Sequence, residues 1–277
     1  LPGLIIDCYG QTAVMQAHSI GMHLDRFDIA RALVNVSEGK IAHIYYKSET
    51  TLPFMEPTNG FLYGGTSENI ATENGLRFRI DWLKGQKTGF FIDQRDNRLL
   101  LQHYSQGRSV LNMFCYTGGF SVYAMRGGAK LVHSVDSSAK AIELTRQNVE
   151  LNFPGDARHE AFCEDAFKYL ESQPKGAYDL IVLDPPAFAK RGQDMLNAAR
   201  AYRQINECAL RMLPRGGYLA TCSCSQHMTR DLLAQAIAEA AHDAGVQLRQ
   251  VEERQQAPDH PILWGVPETH YLDFFVF

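Results

Sequence analysis

The sequence predicts an α/β protein in which helices cover both faces of a mostly parallel sheet, preceded by a smaller α+β region. From residue 108 onward, short apolar and β-branched runs alternate regularly with stretches of helical periodicity. This alternation is typical of parallel strands joined by crossover helices. Before it, short β-type runs surround a single helical stretch. Two final β-type runs have no helix between them and predict a terminal antiparallel hairpin.

The elements follow in order along two predicted regions, 1–83 and 84–277. The first contains one helix near 25–36 and the β-type runs LIIDCY, TAVMQAHSI, KIAHIYY, FLYGG and LRFRIDW. The joining segment 84–104 is expected to pass from a strand or hairpin into a helix. Strands are then expected at 109–115, 130–136, 158–163, 179–184 and 217–223. Helices are expected near 118–127, 139–152, 165–172, 193–213 and 230–244, before the closing runs VQLRQVEER and HYLDFFVF.

Composition narrows the class of protein. With 277 residues, 45% of them hydrophobic, the chain can bury one large core or two smaller ones. Its apolar runs are far shorter than the roughly 18–20 residues that cross a bilayer, so we expect a soluble cytoplasmic protein without membrane contact. Six cysteines without CxxC pairs favour reduced thiols and no metal site. The net charge of −4 argues against a broad nucleic-acid surface, although we expect a basic amino-terminal module to lie outside this chain.

A cofactor site is predicted where the first strands of the second region end, because ligands of such sheets bind at that edge. The turn Tyr116-Thr117-Gly118 lets the backbone approach a ligand, yet it lacks the GxGxxG pattern of pyrophosphate sites. Asp136 could accept both ribose hydroxyls, or it could cap the next helix. Asp165 could face an adenine amino group or act as an N-cap. The absence of a phosphate cradle favours S-adenosylmethionine.

The predicted catalytic residues follow the next two strands. Asp184-Pro185-Pro186 forms a loop that the prolines make rigid. Cys222 and Cys224 lie near the end of the following strand; a cysteine there is more often a small buried hydrophobe, but the adjoining aspartate loop favours catalysis. A thiolate that adds to carbon 6 of a pyrimidine makes carbon 5 nucleophilic toward a sulfonium methyl group. We expect Cys224 to be the nucleophile and Asp184 to bind the base edge or assist proton removal.

Taken together, these motifs resemble the bacterial 23S ribosomal RNA large-subunit 5-methylcytosine methyltransferases of the type I group. The matching segments are KTGFFIDQRDNR (87–98), NMFCYTGGFSV (112–122), SVDSSAKAIELTRQNVELN (134–152), LDPPAFAK (183–190), SCS (223–225) and APDHP (257–261). The resemblance extends over almost the whole chain. It implies a Rossmann-like class I methyltransferase domain with a seven-stranded sheet over 84–277, a central α+β domain over 1–83, and a PUA-like domain that the chain lacks.

The resemblance also implies the activity and the site. It implies an enzyme that forms 5-methylcytosine in 23S ribosomal RNA, with the nucleophile of the SCS motif at Cys224. With the residue analysis, the expected S-adenosylmethionine site comprises Gln94, Arg95, Tyr116, Thr117, Gly118, Asp136, Asp165, Asp184 and Pro185. Cys222 precedes the motif and could be an alternate nucleophile or inert packing. The RNA could be naked or part of an early assembly state, and the sequence leaves homodimerisation open.

Basic residues after the aspartate loop have two interpretations. Lys190, Arg191, Arg200 and Arg203 could contact phosphates near the target base. They could equally form a solvated helix face.

Three other functions compete with cytosine methylation. A methyltransferase acting on a base nitrogen would use a similar proline loop to grip its base, but Phe188 falls one residue late for that pattern and Cys224 would be unnecessary. A non-catalytic ribosome-assembly factor that binds S-adenosylmethionine and RNA would not need Asp184 and Cys224. An NAD-dependent oxidoreductase is disfavoured by the missing GxGxxG motif and by the terminal hairpin.

Overall fold

A computed structural model gives the fold of the chain and describes residues 2–52, 59–65, 68–188, 195–225 and 227–277. The chain divides into two units, Leu1–Ile92 and Asp93–Phe277. Each unit has its own sheet, so each is described by itself.

The described part of the first unit holds a four-stranded sheet in the order β1-β2-β3-β4, with an antiparallel ribbon of β5 and β6. Its strands are β1 (Leu4–Tyr9), β2 (Thr12–Ala17), β3 (His43–Tyr46), β4 (Gly60–Tyr63), β5 (Ile70–Glu73) and β6 (Leu76–Arg79). Its helices are α1 (Ile20–Leu24) and α2 (Arg26–Val36). Strand β2 pairs antiparallel with β1 and parallel with β3. The α+β character predicted for this region is confirmed.

The segment 84–91 carries turns, so the predicted strand or hairpin is wrong at this place. Gly89 has a φ of +116°, and the backbone of Trp82 lies 3.0 Å from where a Cβ would stand. A side chain would not fit that conformation or that space. The segment packs within the first unit, where the Tyr9 hydroxyl lies 2.9 Å from Thr88 Oγ1. The unit boundary therefore falls later than the predicted division after residue 83.

In the second unit a 3₁₀ turn ends at Gln94, and helices and strands then alternate as predicted. The helices are α3 (Arg95–Tyr104), α4 (Gly119–Arg126), α5 (Ala139–Asn152), α6 (Ala166–Ser172), α7 (Met195–Met212) and α8 (Arg230–Ala244). The strands are β7 (Ser109–Met113), β8 (Leu131–Asp136), β9 (His159–Cys163), β10 (Leu180–Leu183), β11 (Tyr218–Ser223), β12 (Glu252–Gln255) and β13 (Asp273–Val276).

Among the described residues these strands form a seven-stranded sheet in the order β12-β13-β11-β10-β7-β8-β9. The pairs from β11 through β10, β7 and β8 to β9 are parallel, whereas β13 is antiparallel to both β11 and β12. The order turns back on itself at β7, and parallel sheets bind ligands beside such a switch point. The predicted parallel sheet and terminal hairpin are confirmed.

The central strands form because their sequences are apolar on both faces. Every residue of β7 and β10 is buried, as expected for strands that have helices above and below. Helices α5 and α8 begin at side-chain caps: Ser138 accepts from the amide of Ala141, and Thr229 accepts from that of Leu232. The strand ends are therefore held rigidly on an extensive core.

None of the helices in the described ranges is long and apolar enough to cross a membrane. The longest of them, α7, has 18 residues and carries several charged side chains.

The core of the second unit predicts a clear contrast between two leucine substitutions. Leu111 in β7 is fully buried, whereas Leu196 at the start of α7 is 75% exposed. Leu111→Ala should lower the free energy of unfolding by about 2–5 kcal/mol, because it removes apolar contacts and leaves a cavity. Leu196→Ala should change it by no more than about 0.5 kcal/mol. Urea denaturation followed by circular dichroism measures both, and equal losses would contradict the assigned core.

Candidate functional site

Asp184, a predicted catalytic residue, and Cys222 meet at the carboxyl ends of β10 and β11. These strands pair in parallel with Leu183 opposite Thr221. The next residues along each strand, Asp184 and Cys222, therefore point to the same side of the sheet. The Cys222 thiol donates a hydrogen bond to Asp184 Oδ1 over 3.0 Å. The structure thus brings the aspartate loop and the cysteine strand into direct contact.

Gln94 reaches the same place from the turn before α3. Its Nε2 donates to Asp184 Oδ1 at 3.3 Å and to the sulfur of Cys222 at 3.4 Å. Asn97 Nδ2 donates to Gln94 Oε1 at 2.7 Å, which fixes the direction of the amide. Gln94 and Asn97 are both buried. That Gln94 lines a cofactor cleft stays a prediction. Its hydrogen bond to Asp184 is a direct contact in the structure.

The environment shifts the acidity of both partners. Burial raises the pKa of Asp184 to about 6; the negative charge of Asp93 adds to the rise, while the hydrogen bonds from Cys222 and Gln94 and the positive charge of Arg98 oppose it. Burial, followed by the negative charge of Asp184, raises the pKa of the Cys222 thiol well above its usual range. Asp184 is therefore ionised at neutral pH, and Cys222 keeps its proton.

The two thiols of the cysteine strand differ in accessibility. Cys222 is fully buried, whereas Cys224, just beyond the end of β11, is partly exposed. Tyr202 of α7 lies buried behind them, and burial raises the pKa of its hydroxyl, with a further contribution from the two cysteines. Cys224 is therefore the more accessible of the two thiols.

Asp136 ends β8 and holds the loop that follows β7. Its Oδ2 accepts a hydrogen bond from the Tyr116 amide at 3.0 Å, and its Oδ1 accepts from the Ser138 amide at 2.9 Å. The N-cap of α5 is Ser138, a residue that the helix-cap alternative grouped with Asp136, and the ribose role of Asp136 stays a prediction. Each carboxylate oxygen has a second lone pair available for a ligand hydroxyl.

The turn after β7 is rigid. Tyr116 and Gly118 both have positive φ, 46° and 76°. A Cβ on Gly118 would stand 2.7 Å from Thr145 Cγ2, so this glycine is required for close packing of α5. Thr145 Oγ1 and Asn148 Nδ2 donate to the carbonyls of Tyr116 and Thr117 at 2.9 Å. The approach of this backbone to a ligand stays a prediction.

Two other predicted site residues have protein partners. Asp165 is exposed and caps α6, with its Oδ1 accepting from the amides of Phe167 and Lys168, which is the N-cap alternative that the sequence left open. Arg95 forms an ion pair with Asp259 at 2.5 Å. Neither contact excludes a ligand, but neither points to one.

The structure describes two of the four basic residues predicted after the aspartate loop. Lys190 and Arg191 lie outside the described residues. Arg203 pairs with Glu239 and Asp243 of α8, as expected of a solvated helix face. Arg200 is exposed on α7.

Sequence reasoning missed several residues of the site. Asp93 accepts from the Tyr271 hydroxyl at 2.9 Å through Oδ2, while its buried Oδ1 finds no hydrogen-bond partner among the residues described. Arg98 is buried against Gly119, where a Cβ would come within 2.9 Å of Arg98 Cδ. The sequence does carry a signal for Arg98. It follows Gln94 at the i, i+4 spacing that places two residues on one face of a helix.

Comparison with known proteins agrees with this geometry. Residues 57–268 match the family model of S-adenosylmethionine-dependent methyltransferases. The ribosomal RNA large subunit methyltransferase I of Aeromonas hydrophila is 42% identical over an alignment of 280 positions that covers 98% of this chain and 70% of that relative. The chain therefore belongs to the S-adenosylmethionine-dependent methyltransferase family. The protein of the same name from Escherichia coli O139:H28 is 39% identical over 99% of this chain and 71% of its own length.

Solved structures share the fold. A crystal structure described as a methyltransferase complexed with SAH has 26% identity and a TM-score of 0.85, covering 99% of this chain and 71% of its own. The tRNA m1G37 methyltransferase of M. jannaschii has 18% identity and a TM-score of 0.66 over 100% of this chain and 76% of its own, which shows the fold alone. The predicted class I fold and the predicted cofactor, S-adenosylmethionine, are confirmed, so the oxidoreductase alternative is wrong.

The residues present fit S-adenosylmethionine. The cofactor carries ribose hydroxyls and a positively charged ammonium and sulfonium. The carboxylate of Asp136 offers acceptors at a strand end, and the buried Oδ1 of Asp93, which has no hydrogen-bond partner in the described part of the chain, is an acceptor that favours a cationic donor. Within the described ranges no group of three or more His, Cys, Asp or Glu side chains is placed to hold a metal ion.

The difference between the two thiols predicts their reactivity. Because the thiolate is the reactive form, burial and a raised pKa should make Cys222 alkylate at least about tenfold more slowly than Cys224. Timed iodoacetamide labelling of the folded protein, read by peptide mass spectrometry, measures both rates. The exposed Cys163 is the fast control, and labelling in denaturant should remove the difference. Equal rates for Cys222 and Cys163 in the folded protein would contradict the assigned burial.

Proposed function

We propose that this chain transfers a methyl group from S-adenosylmethionine to carbon 5 of a cytosine in 23S ribosomal RNA, with Cys224 as the nucleophile. The observation that carries the proposal is the partly exposed thiol of Cys224 at the end of β11, beside the strand that presents Asp184. The names of the relatives support a large-subunit ribosomal RNA substrate. The cytosine and the thiol adduct rest on the chemistry of the site.

The proposed chemistry needs a thiol because carbon 5 of cytosine is a weak nucleophile. When bound, S-adenosylmethionine supplies an electrophilic methyl group on its sulfonium. The Cys224 thiolate would add to carbon 6, and the electron pair displaced toward carbon 5 would form the new bond to the methyl carbon as the methyl–sulfur bond breaks and its electron pair stays on the sulfur of the departing S-adenosylhomocysteine. A base then removes the carbon-5 proton, the ring double bond re-forms, and the thiolate leaves carbon 6. Cys224 is therefore regenerated in each turnover.

Asp184 is suited to hold the base during these steps. At neutral pH its carboxylate is ionised and can accept a hydrogen bond from the exocyclic amine of cytosine. Its raised pKa, about 6, also makes it a stronger proton acceptor than an ordinary carboxylate. Pro185 is buried and follows directly, so the loop holds the carboxylate in one place.

The cofactor would lie along the ends of β7, β8 and β9. We assign the ribose to Asp136, the backbone approach to the Tyr116-Thr117-Gly118 turn, and the adenine side to Asp165. The buried side of the cleft would be formed by Gln94. Arg95 belongs to the rim of the site in this arrangement, since it is paired with Asp259.

The partner would be the RNA itself, in the cytoplasm, either naked or in an early assembly state. The first unit and the exposed Arg200 of α7 are the candidate contacts outside the cleft. Phosphate contacts of this kind position an RNA but do not select its sequence. A homodimer is compatible with the proposal but is not needed for it.

Methylation of a base nitrogen is the alternative function. Enzymes of that kind use the aromatic residue of the proline loop to grip the base. Phe188 instead packs against Tyr202 in an edge-on arrangement, with ring centroids 4.9 Å apart, and belongs to the cluster between α7 and α8. This packing favours the thiol mechanism.

The ribose assignment predicts a loss of cofactor affinity in Asp136→Asn. Replacing the carboxylate removes its charge and one acceptor, so the Kd for S-adenosylmethionine should rise by about tenfold or more. Isothermal titration calorimetry measures it. Asp231→Asn, at an exposed position of α8, is the matched control and should bind as the wild type does. An equal loss in Ser138→Ala, which disturbs only the adjoining cap, would argue against a ribose contact.

The thiol mechanism predicts opposite behaviour of two alanine variants. Cys224→Ala should abolish transfer of labelled methyl groups into 5-methylcytosine in unmodified 23S RNA, because no adduct can form. Cys222→Ala should retain measurable transfer. RNA containing 5-fluorocytosine should trap a covalent complex with the wild type and with Cys222→Ala but not with Cys224→Ala, since fluorine at carbon 5 cannot leave as a proton does. Labelled methyl groups in a purine, or methyl transfer by Cys224→Ala, would contradict the thiol mechanism.

A further inference from the structure

Cys222 has partners that neither a nucleophile nor an inert packing group requires. It is fully buried, and its thiol donates to Asp184 Oδ1 at 3.0 Å. Its sulfur accepts from Gln94 Nε2 at 3.4 Å, and the same Nε2 lies 3.3 Å from Asp184 Oδ1. The three polar groups therefore form a closed triangle around one carboxylate oxygen.

The direction of the bonds in this triangle is determined. Asn97 donates to Gln94 Oε1, so the amide nitrogen of Gln94 must face Asp184 and Cys222. Since that nitrogen donates to the sulfur, the thiol proton is left for an acceptor. The two acceptors within reach are Asp184 Oδ1 at 3.0 Å and the Leu183 carbonyl at 3.5 Å, and the shorter bond goes to the charged carboxylate.

We propose that Cys222 is a positioning residue, whose thiol donates to Asp184 Oδ1 and, together with Gln94, fixes the carboxylate in the orientation that meets the target base. The inference rests on the proposed function, in which Asp184 holds the base. Cys222 acts only through Asp184 and touches no reacting atom. Both donors bind the same oxygen, so they restrict rotation of the carboxylate about its bond to Cβ.

Ionisation of Cys222 would destroy this arrangement. A thiolate has no proton to donate and would place a second negative charge beside Asp184. Burial and the charge of Asp184 raise the pKa of Cys222 well above its usual range, so the thiol keeps its proton at neutral pH. The positions of Asp93 and Arg98 complete the charged surroundings of Asp184, with opposite effects on it.

The bond also has a consequence for pH dependence. Because a donor stabilises the ionised carboxylate, the Cys222 thiol lowers the pKa of Asp184, which burial raises to about 6. Asp184 acts in its ionised form, so activity is present above this pKa and is lost as the pH falls through it. Removing the donor raises the pKa further. The acid limb of kcat/KM should therefore move to higher pH.

Two substitutions of Cys222 test the inference in the full chain. Cys222→Ala should lower kcat by about tenfold, the value of one hydrogen bond to a charged group, and should move the acid limb upward by up to about one pH unit. Cys222→Ser restores a donor and should recover kcat to within about threefold of the wild type, with the limb returned. If Cys222 only packs, alanine should be tolerated better than a buried hydroxyl and the limb should not move, which would overturn the inference. Loss of all transfer in both variants would overturn it in favour of a nucleophile.

A spectroscopic measurement tests the hydrogen bond without relying on catalysis. The S–H stretching band of Cys222 is obtained as the infrared difference between each protein and the same protein carrying Cys222→Ala. Asp184→Ala removes the acceptor and should move the band to higher wavenumber, whereas Asp165→Ala should leave it in place. An unmoved band in Asp184→Ala overturns the inference. Failure of the wild type to methylate cytosine would instead overturn the proposed function, so the two failures are distinguishable.

Discussion

The register between β10 and β11 is the constraint on which the site depends. Parallel pairing of Leu183 with Thr221 places Asp184 beside Cys222 and leaves Cys224 beyond the last paired residues. A shift by one residue would turn these side chains to the opposite face of the sheet. Every residue of β10 is buried, so such a shift would force the side chains on both faces to repack against their neighbours. The apolar core therefore sets the distance between Asp184 and Cys222.

Two cysteines that are only two positions apart have different chemical properties because they differ in burial. At Cys222 the surroundings keep the thiol neutral and direct its proton to a carboxylate. At Cys224 the strand has ended and the thiol is partly exposed. Desolvation also makes Asp184 a better proton acceptor, while its hydrogen-bond donors keep it ionised at neutral pH. One short segment thus supplies both a positioning group and a candidate nucleophile.

The turn before α3 supplies the rest of the site from a distant part of the sequence. Gln94, Asn97 and Arg98 lie on one helical face and are all buried. Gly119 has no side chain, and this leaves room for Arg98 to pack at the start of α4. Arg95, on another face, pairs with Asp259 instead. The motif KTGFFIDQRDNR (87–98) therefore has a physical basis. One face of the first turn of α3 packs into the buried site, and another face makes the ion pair with Asp259.

The sequence by itself determined the class of each element and the residues at each strand end, because periodicity and capping depend on near neighbours. It therefore predicted the parallel sheet, the terminal hairpin, the cap alternative for Asp165 and the approach of Asp184 to the cysteine strand. Only the tertiary structure decided which thiol is buried, how Asp184 is held, and that 84–91 forms turns. Those properties depend on contacts between residues that are far apart in the sequence. Gln94, for example, contacts Asp184, which is 90 residues away, and Cys222, which is 128 residues away.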